Sequence, residues 1–314
     1  MKRASVILIG VMLIMNIASA LGEVSYRTIR VDDLDIFYRE AGPKDGPTIL
    51  LLHGLPSSSR MYQPLLESDL GSQYHLIAPD YPGFGHSSWP DHKSFAYTFD
   101  HLAKIIEDFT EQLHLDRYTL FMQDYGGPVG FRILAQHPEW MEWLILQNTN
   151  AYEVGFTPAW DGLRNALWKE RSAANVEALL PFLSLDGIRM VYQHGHRDPA
   201  SISPDNWNMD FRFMERPNAR RVNLDLFYDY RTNVPLYPKW QAFLRKHRPE
   251  TIIFWGQNDI FFTPEGGVAY LKDLPNAELH RLDSGHFAIE DSLDVIAGNI
   301  RRFYDQRVAA KAAA

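Results

Sequence analysis

Phe121-Met122-Gln123-Asp124-Tyr125-Gly126-Gly127 is the stretch on which the reading of this chain turns. Tyr118–Met122 is a short, continuous apolar run, which suits a strand buried on both faces. Two glycines follow, then a helical pattern over Pro128–His137. A strand that enters a helix through so tight a turn lifts one side chain above the sheet, and small residues beyond it let the helix pack close. The familiar form of this turn, G-x-S-x-G, carries a serine at its centre. Here that position is Asp124, and Met122 replaces the first glycine. A carboxylate can serve as a covalent nucleophile. An aspartate at such a turn can also simply cap the helix, so the rest of the chain has to decide.

Outward from this turn, strand-like and helix-like segments alternate. Arg27–Tyr38 alternates as an early antiparallel strand would. Short apolar runs follow at Thr48–Leu52, Tyr74–Ala78, Trp143–Leu146, Thr251–Trp255 and Leu279–Leu282. Helical patterns lie at Phe99–Leu113, Glu265–Leu271 and Leu293–Tyr304. This alternation predicts a doubly wound α/β core with a mostly parallel sheet. In such sheets ligands bind beyond the carboxyl ends of the strands. His53, Asp80, Asp124, Asn148, Asp259 and His286 all fall just past a predicted strand end.

The rhythm breaks between the runs Trp143–Leu146 and Thr251–Trp255. About a hundred residues there show helical and loop patterns rich in Trp and Tyr, too long for an ordinary connection. The expected organisation is a core of residues 21–150 and 249–314, with residues 151–248 inserted as a mostly helical cap over the strand ends. The first twenty residues stand apart. Lys2 and Arg3 precede an apolar run, Val6 to Met15, and then Ala18-Ser19-Ala20. That is the pattern of a secretory signal cleaved after Ala20, so the mature protein is expected to be secreted or periplasmic and free of the membrane. The chain has no cysteine. Its 314 residues, 46% hydrophobic with a net charge of −8 and no basic run, read as globular and argue against nucleic-acid binding. No His/Asp/Glu spacing suggests a metal, and no cofactor is expected. Fifteen Tyr, eight Trp and eighteen Phe fit an apolar pocket as well as a core.

Four further motifs carry chemistry or structure. His53-Gly54-Leu55-Pro56 follows the first buried strand, and Asp80-Tyr81-Pro82-Gly83-Phe84-Gly85-His86-Ser87 is a glycine-rich turn given a structural role. Trp255-Gly256-Gln257-Asn258-Asp259 follows a buried strand, and Asp283-Ser284-Gly285-His286-Phe287 follows the last one. With Asp124 they stand in the order nucleophile, acid, base. Asp283 sits three residues from His286 on one turn, a poor place from which to orient its ring, so Asp259 is the expected acid.

As a set, these motifs resemble the epoxide hydrolase and haloalkane dehalogenase branch of the α/β-hydrolase superfamily, over roughly Arg27 to Tyr304. The resemblance implies an α/β-hydrolase fold with a cap. It implies Asp124 as nucleophile, His286 as base, Asp259 as the orienting acid, and the main-chain N–H groups of Leu55 and Tyr125 as the oxyanion hole. Dehalogenases of this branch usually hold the halide with a Trp after the nucleophile, where this chain has Tyr125; Trp168 is the candidate for a cap Trp. Epoxide hydrolases use cap phenols to protonate the opening oxygen. Tyr228-Asp229-Tyr230-Arg231 resembles the stretch carrying one such tyrosine and points to Tyr230, with Tyr152 or Tyr192 as the second donor. The expected reaction is therefore opening of a small apolar epoxide by water through an ester on Asp124. A haloalkane dehalogenase using the same ester is the alternative, and a lidded ligand-binding protein the non-enzymatic one.

Overall fold

A computed structural model describes residues 23–312; the predicted signal segment lies outside them. The strands are β1 (Ser25–Val31), β2 (Leu34–Ala41), β3 (Thr48–Leu52), β4 (His75–Pro79), β5 (Tyr118–Gln123), β6 (Met141–Gln147), β7 (Thr251–Gly256) and β8 (Glu278–Leu282). They form one eight-stranded sheet in the order β1-β2-β4-β3-β5-β6-β7-β8. From β4 to β8 all neighbours are parallel. The continuous apolar runs became the central strands because every residue of β4, β5 and β7 is buried.

One expected element differs. Arg27–Tyr38 is not a single strand but spans two, β1 and β2, which pair as a hairpin closing at Val31↔Leu34. Asp32 stands in the turn with φ +50°. A short acidic side chain tolerates this left-handed backbone better than the β-branched Val31 before it would.

The longer helices are α1 (Phe99–Gln112), α2 (Gly126–Gln136), α3 (Leu185–Gln193), α4 (Pro204–Met214), α5 (Ala219–Asp229), α6 (Tyr237–His247), α7 (Pro264–Asp273) and α8 (Ile289–Phe303). Helix α1 starts where the Thr98 hydroxyl accepts from the His101 N–H, a side-chain cap. It buries Phe99, Leu102, Ala103, Ile106 and Phe109, a single stripe at helical spacing. Between β6 and β7 the described chain holds helices and no strand. This is the inserted cap, with α3, α4, α5 and α6 as its longest parts. One isolated bridge, Phe156↔Phe262, ties its start to the loop after β7. No helix among the described residues is long and apolar enough to cross a membrane.

Candidate active site

Asp124 follows β5 directly and holds φ +45°. A non-glycine residue in this region is strained, and such strain gathers where the surrounding structure needs it. Here the main chain is pinned on both sides. Asp124 N–H donates to Asn148 O at 3.2 Å, and its own oxygen accepts from Gly127 N–H at 3.1 Å and from the Thr149 hydroxyl at 2.9 Å. Helix α2 then starts against β3 so closely that a Cβ on Gly126 would lie 2.2 Å from Leu52 O.

The side chain does not cap its helix. Its Oδ1 accepts the Leu55 N–H at 2.9 Å. Its Oδ2 is 4.0 Å from Nε2 of His286. On the far side of that ring, Nδ1 is 2.9 Å from Asp259 Oδ2. Asp259 is itself held: Phe261 N–H donates to Oδ1 and the Asn148 amide to Oδ2, both at 2.8 Å. Asp283 instead accepts from the Asn258 side chain at 2.9 Å. Strand order thus brings Asp124, Asp259 and His286 together from the ends of the parallel strands β5, β7 and β8, with β6 and Asn148 between the first two.

All of this is buried. Asp124 is 5% exposed and His286 1%. Burial pushes the Asp124 carboxyl up to about 6, against the opposing pull of His286 and of the Leu55 and Tyr125 amides. For His286, burial disfavours the charged ring. The adjacent Asp259 carboxylate outweighs it, and the ring titrates above its ordinary value.

Above Asp124 lies a cavity. Its core side is Leu55, Pro56, Tyr125 and Phe261, and its cap side includes Trp160, Leu163, Leu179, Phe182 and Phe227. Asp124 is the one charged side chain in this wall. The arrangement can place a carboxylate oxygen against an uncharged apolar molecule, with a base within one water of the carbon that molecule would esterify.

The phenols expected from the cap are placed differently. Tyr152 donates to Asp273 Oδ2 at 2.7 Å, and Tyr192 donates to Asp210 Oδ2 at 2.6 Å. Neither lines the cavity. Each is drawn off by a buried carboxylate, so neither is a free second donor. Tyr230 is fully buried one layer behind the wall. Its ring centre is 4.5 Å from that of Trp160 and 6.1 Å from that of Tyr125. The Tyr125 hydroxyl is buried without a hydrogen-bond partner, and the Tyr230 hydroxyl faces that of Tyr237. Burial holds both phenols well above their ordinary pKa, and so protonated. The indole of Trp168 is committed to Phe227 O at 2.9 Å, and that of Trp160 to Phe261 O at 2.9 Å.

Two contributors were missed in the sequence. Asn148, noted only as lying just past a strand end, donates to Asp259. Gln123, noted only as part of the motif, touches His286. Their shared signal is a polar side chain at the end of an otherwise apolar strand.

Gly54 shows how tight the site is. A Cβ there would lie 2.4 Å from Asp124 Cβ and 2.2 Å from Gln123 Oε1. Gly54→Ala is expected to keep the fold and to lower turnover by about a hundredfold through misplacing the carboxylate. Unchanged kinetics in a variant that melts like wild type would contradict this.

Comparison with known proteins agrees with the geometry. The family described as alpha/beta hydrolase fold matches residues 47–293. An uncharacterized hydrolase of Saccharomyces cerevisiae is 36% identical over 280 residues, covering 88% of this chain and 95% of the yeast protein. Haloalkane dehalogenase 2 of Mycobacterium tuberculosis is 28% identical, covering 81% of this chain and 87% of its own. The solved structure of epoxide hydrolase CorEH superposes with a TM-score of 0.74 at 18% identity, over 90% of this chain and 99% of that one. With a family match over residues 47–293, most of its length, this chain belongs to the α/β-hydrolase fold family.

Proposed function

We propose that this hydrolase opens small apolar epoxides to diols through a covalent ester on Asp124. The observation that carries the reading is the pairing of the two carboxylate oxygens. Leu55 N–H fixes Oδ1, which leaves Oδ2, on the side of His286, to attack. Oδ2 bonds to one epoxide carbon while the carbon–oxygen bond of the ring breaks. The departing oxygen takes its proton from the Tyr125–Tyr230 pair, giving a hydroxyalkyl ester. Water then adds to the ester carbonyl carbon as Nε2 of His286 takes its proton. The oxyanion at Oδ1 is held by the Leu55 and Tyr125 N–H groups, and such donors contribute about 3–4 kcal/mol each. Collapse releases the diol, whose oxygen takes the proton back from His286, and the remaining proton of the added water returns to the phenol as Asp124 becomes a carboxylate again.

Two features favour an oxygen leaving group over a halide. A halide needs N–H donors, and the indoles of Trp160 and Trp168 are both spent on main-chain carbonyls. An epoxide oxygen needs a proton, and Tyr125, in the cavity wall next to Asp124, carries a protonated phenol with Tyr230 packed behind it. The likeness to a haloalkane dehalogenase supports the shared ester chemistry and keeps halide release as the competing reading. In this proposal residues 151–248 form the cap that dries the cavity, residues 1–20 direct export, and the partners are the apolar substrate and water.

A panel of terminal and internal epoxides, bromoalkanes and carboxylic esters, run on the mature protein, tests it. Epoxide turnover exceeding the others is expected. Faster bromide release selects the dehalogenase, turnover of esters alone removes the carboxylate nucleophile, and tight binding without any turnover makes the chain a binding protein.

A further inference from the structure

Gln123 meets His286 from the side opposite Asp259. Its side-chain nitrogen is 3.0 Å from Nε2 of the ring and 3.4 Å from the main-chain oxygen of the same residue. A carbonyl oxygen only accepts, so the amide atom that faces both must be the nitrogen. Gln147, paired with Gln123 in the β5–β6 register, turns its own amide nitrogen to that oxygen at 3.5 Å. Gln123 is wholly buried, and its Oε1 has no partner. A buried orphan acceptor costs free energy. Nothing at that end of the amide orients it, so its orientation is set by His286.

The consequence is a defined state of the base. An N–H aimed at Nε2 requires a lone pair there, so the ring proton sits on Nδ1, where Asp259 accepts it. The geometry points to Gln123 as a positioning residue that keeps His286 neutral and Nδ1-protonated by donating to the Nε2 lone pair. The charged groups facing the ring are Asp259 and Asp124, and both favour the imidazolium. Gln123 is their counterweight, because a hydrogen bond donated to the neutral form opposes protonation. Water takes over the lone pair from the amide when the ester is hydrolysed.

This inference rests on His286 as the base, but its test uses no substrate, so an error in the substrate reading leaves it standing. The full mature chain is labelled with ¹⁵N-histidine and titrated by NMR, with the His286 signal identified by its loss in His286→Gln. Wild-type His286 is expected to be protonated on Nδ1 when neutral. Gln123→Met should raise its titration midpoint by about half to one pH unit. Gln123→Glu, which keeps the shape but places an acceptor there, should raise it further. A midpoint unchanged or lowered in Gln123→Met overturns the proposal, as does a wild-type neutral ring protonated on Nε2. That last reading needs no Gln123 variant, so a Gln123→Met chain that fails to fold leaves the idea still open to refutation.

Discussion

Asp124→Asn is expected to abolish turnover, lowering kcat by about 10⁴-fold or more, and to make the protein more stable. The two effects share one cause. Asp124 is a carboxyl taken out of water, with one hydrogen bond from Leu55 and no ion pair closer than His286 at 4.0 Å. Its pKa stands at about 6, against about 3.9 in an unfolded chain. Between those values the native state binds more protons than the unfolded one, so the wild type loses stability as pH rises through this window and stays at the lower level above it. An asparagine carries no such cost and can still accept the Leu55 N–H. The variant should gain about 3 kcal/mol over wild type above pH 6, with the difference shrinking as pH falls toward 4. Parallel denaturation of both proteins at pH 4.5 and 7.5 reads this. A variant less stable than wild type at pH 7.5 would show that the carboxylate is stabilised by its surroundings and is not held there against a cost. The same titration predicts that the first chemical step fades as pH drops through about 6, because the protonated acid cannot attack.

Replacing His286 by glutamine has the second largest expected effect, and it divides the reaction in two. Attack by Oδ2 needs no base, so the ester should still form. Its hydrolysis needs the imidazole, and removing the base of such a site typically costs about 10³–10⁶-fold. One equivalent of substrate should therefore be consumed and held. The held mass also identifies the substrate class. An epoxide adds its whole mass to the protein, because no atom leaves when the ring opens. A bromoalkane adds its mass less that of hydrogen bromide. An adduct on the peptide that contains Asp124 is expected, and it should be absent from the Asp124→Asn/His286→Gln double variant. Full turnover by His286→Gln would remove the imidazole from the mechanism.

How much of this could be read before any coordinates depended on the kind of interaction. The grouping of Asp124, Asp259 and His286 was legible because buried parallel strands are continuous apolar runs, and such runs show where they end. Asp124, Asp259 and His286 are each within four residues of such an end. The β1–β2 hairpin was not legible because both strands alternate and the acidic pair between them looks like one more polar interval. The phenols failed for a different reason. Whether Tyr152 and Tyr192 face a cavity depends on Asp273 and Asp210, carboxylates 121 and 18 residues away in sequence, and no local pattern encodes that choice. Tyr230 was found by motif, yet its place behind Tyr125 and Trp160 is set by how cap and core stack. Asn148 and Gln123 were visible but unread, because an amide acquires meaning only from what it touches.

The central claim is that an oxygen of Asp124 ends up in the product. Excess enzyme in H₂¹⁸O, mixed with less than one equivalent of epoxide, allows a single turnover. The account predicts an unlabelled diol and one ¹⁸O in the peptide that carries Asp124, because water attacks the ester carbonyl and the original carboxylate oxygen leaves with the product. A diol labelled in that first turnover, with Asp124 unlabelled, would mean that water attacked the epoxide directly and that Asp124 is not the nucleophile.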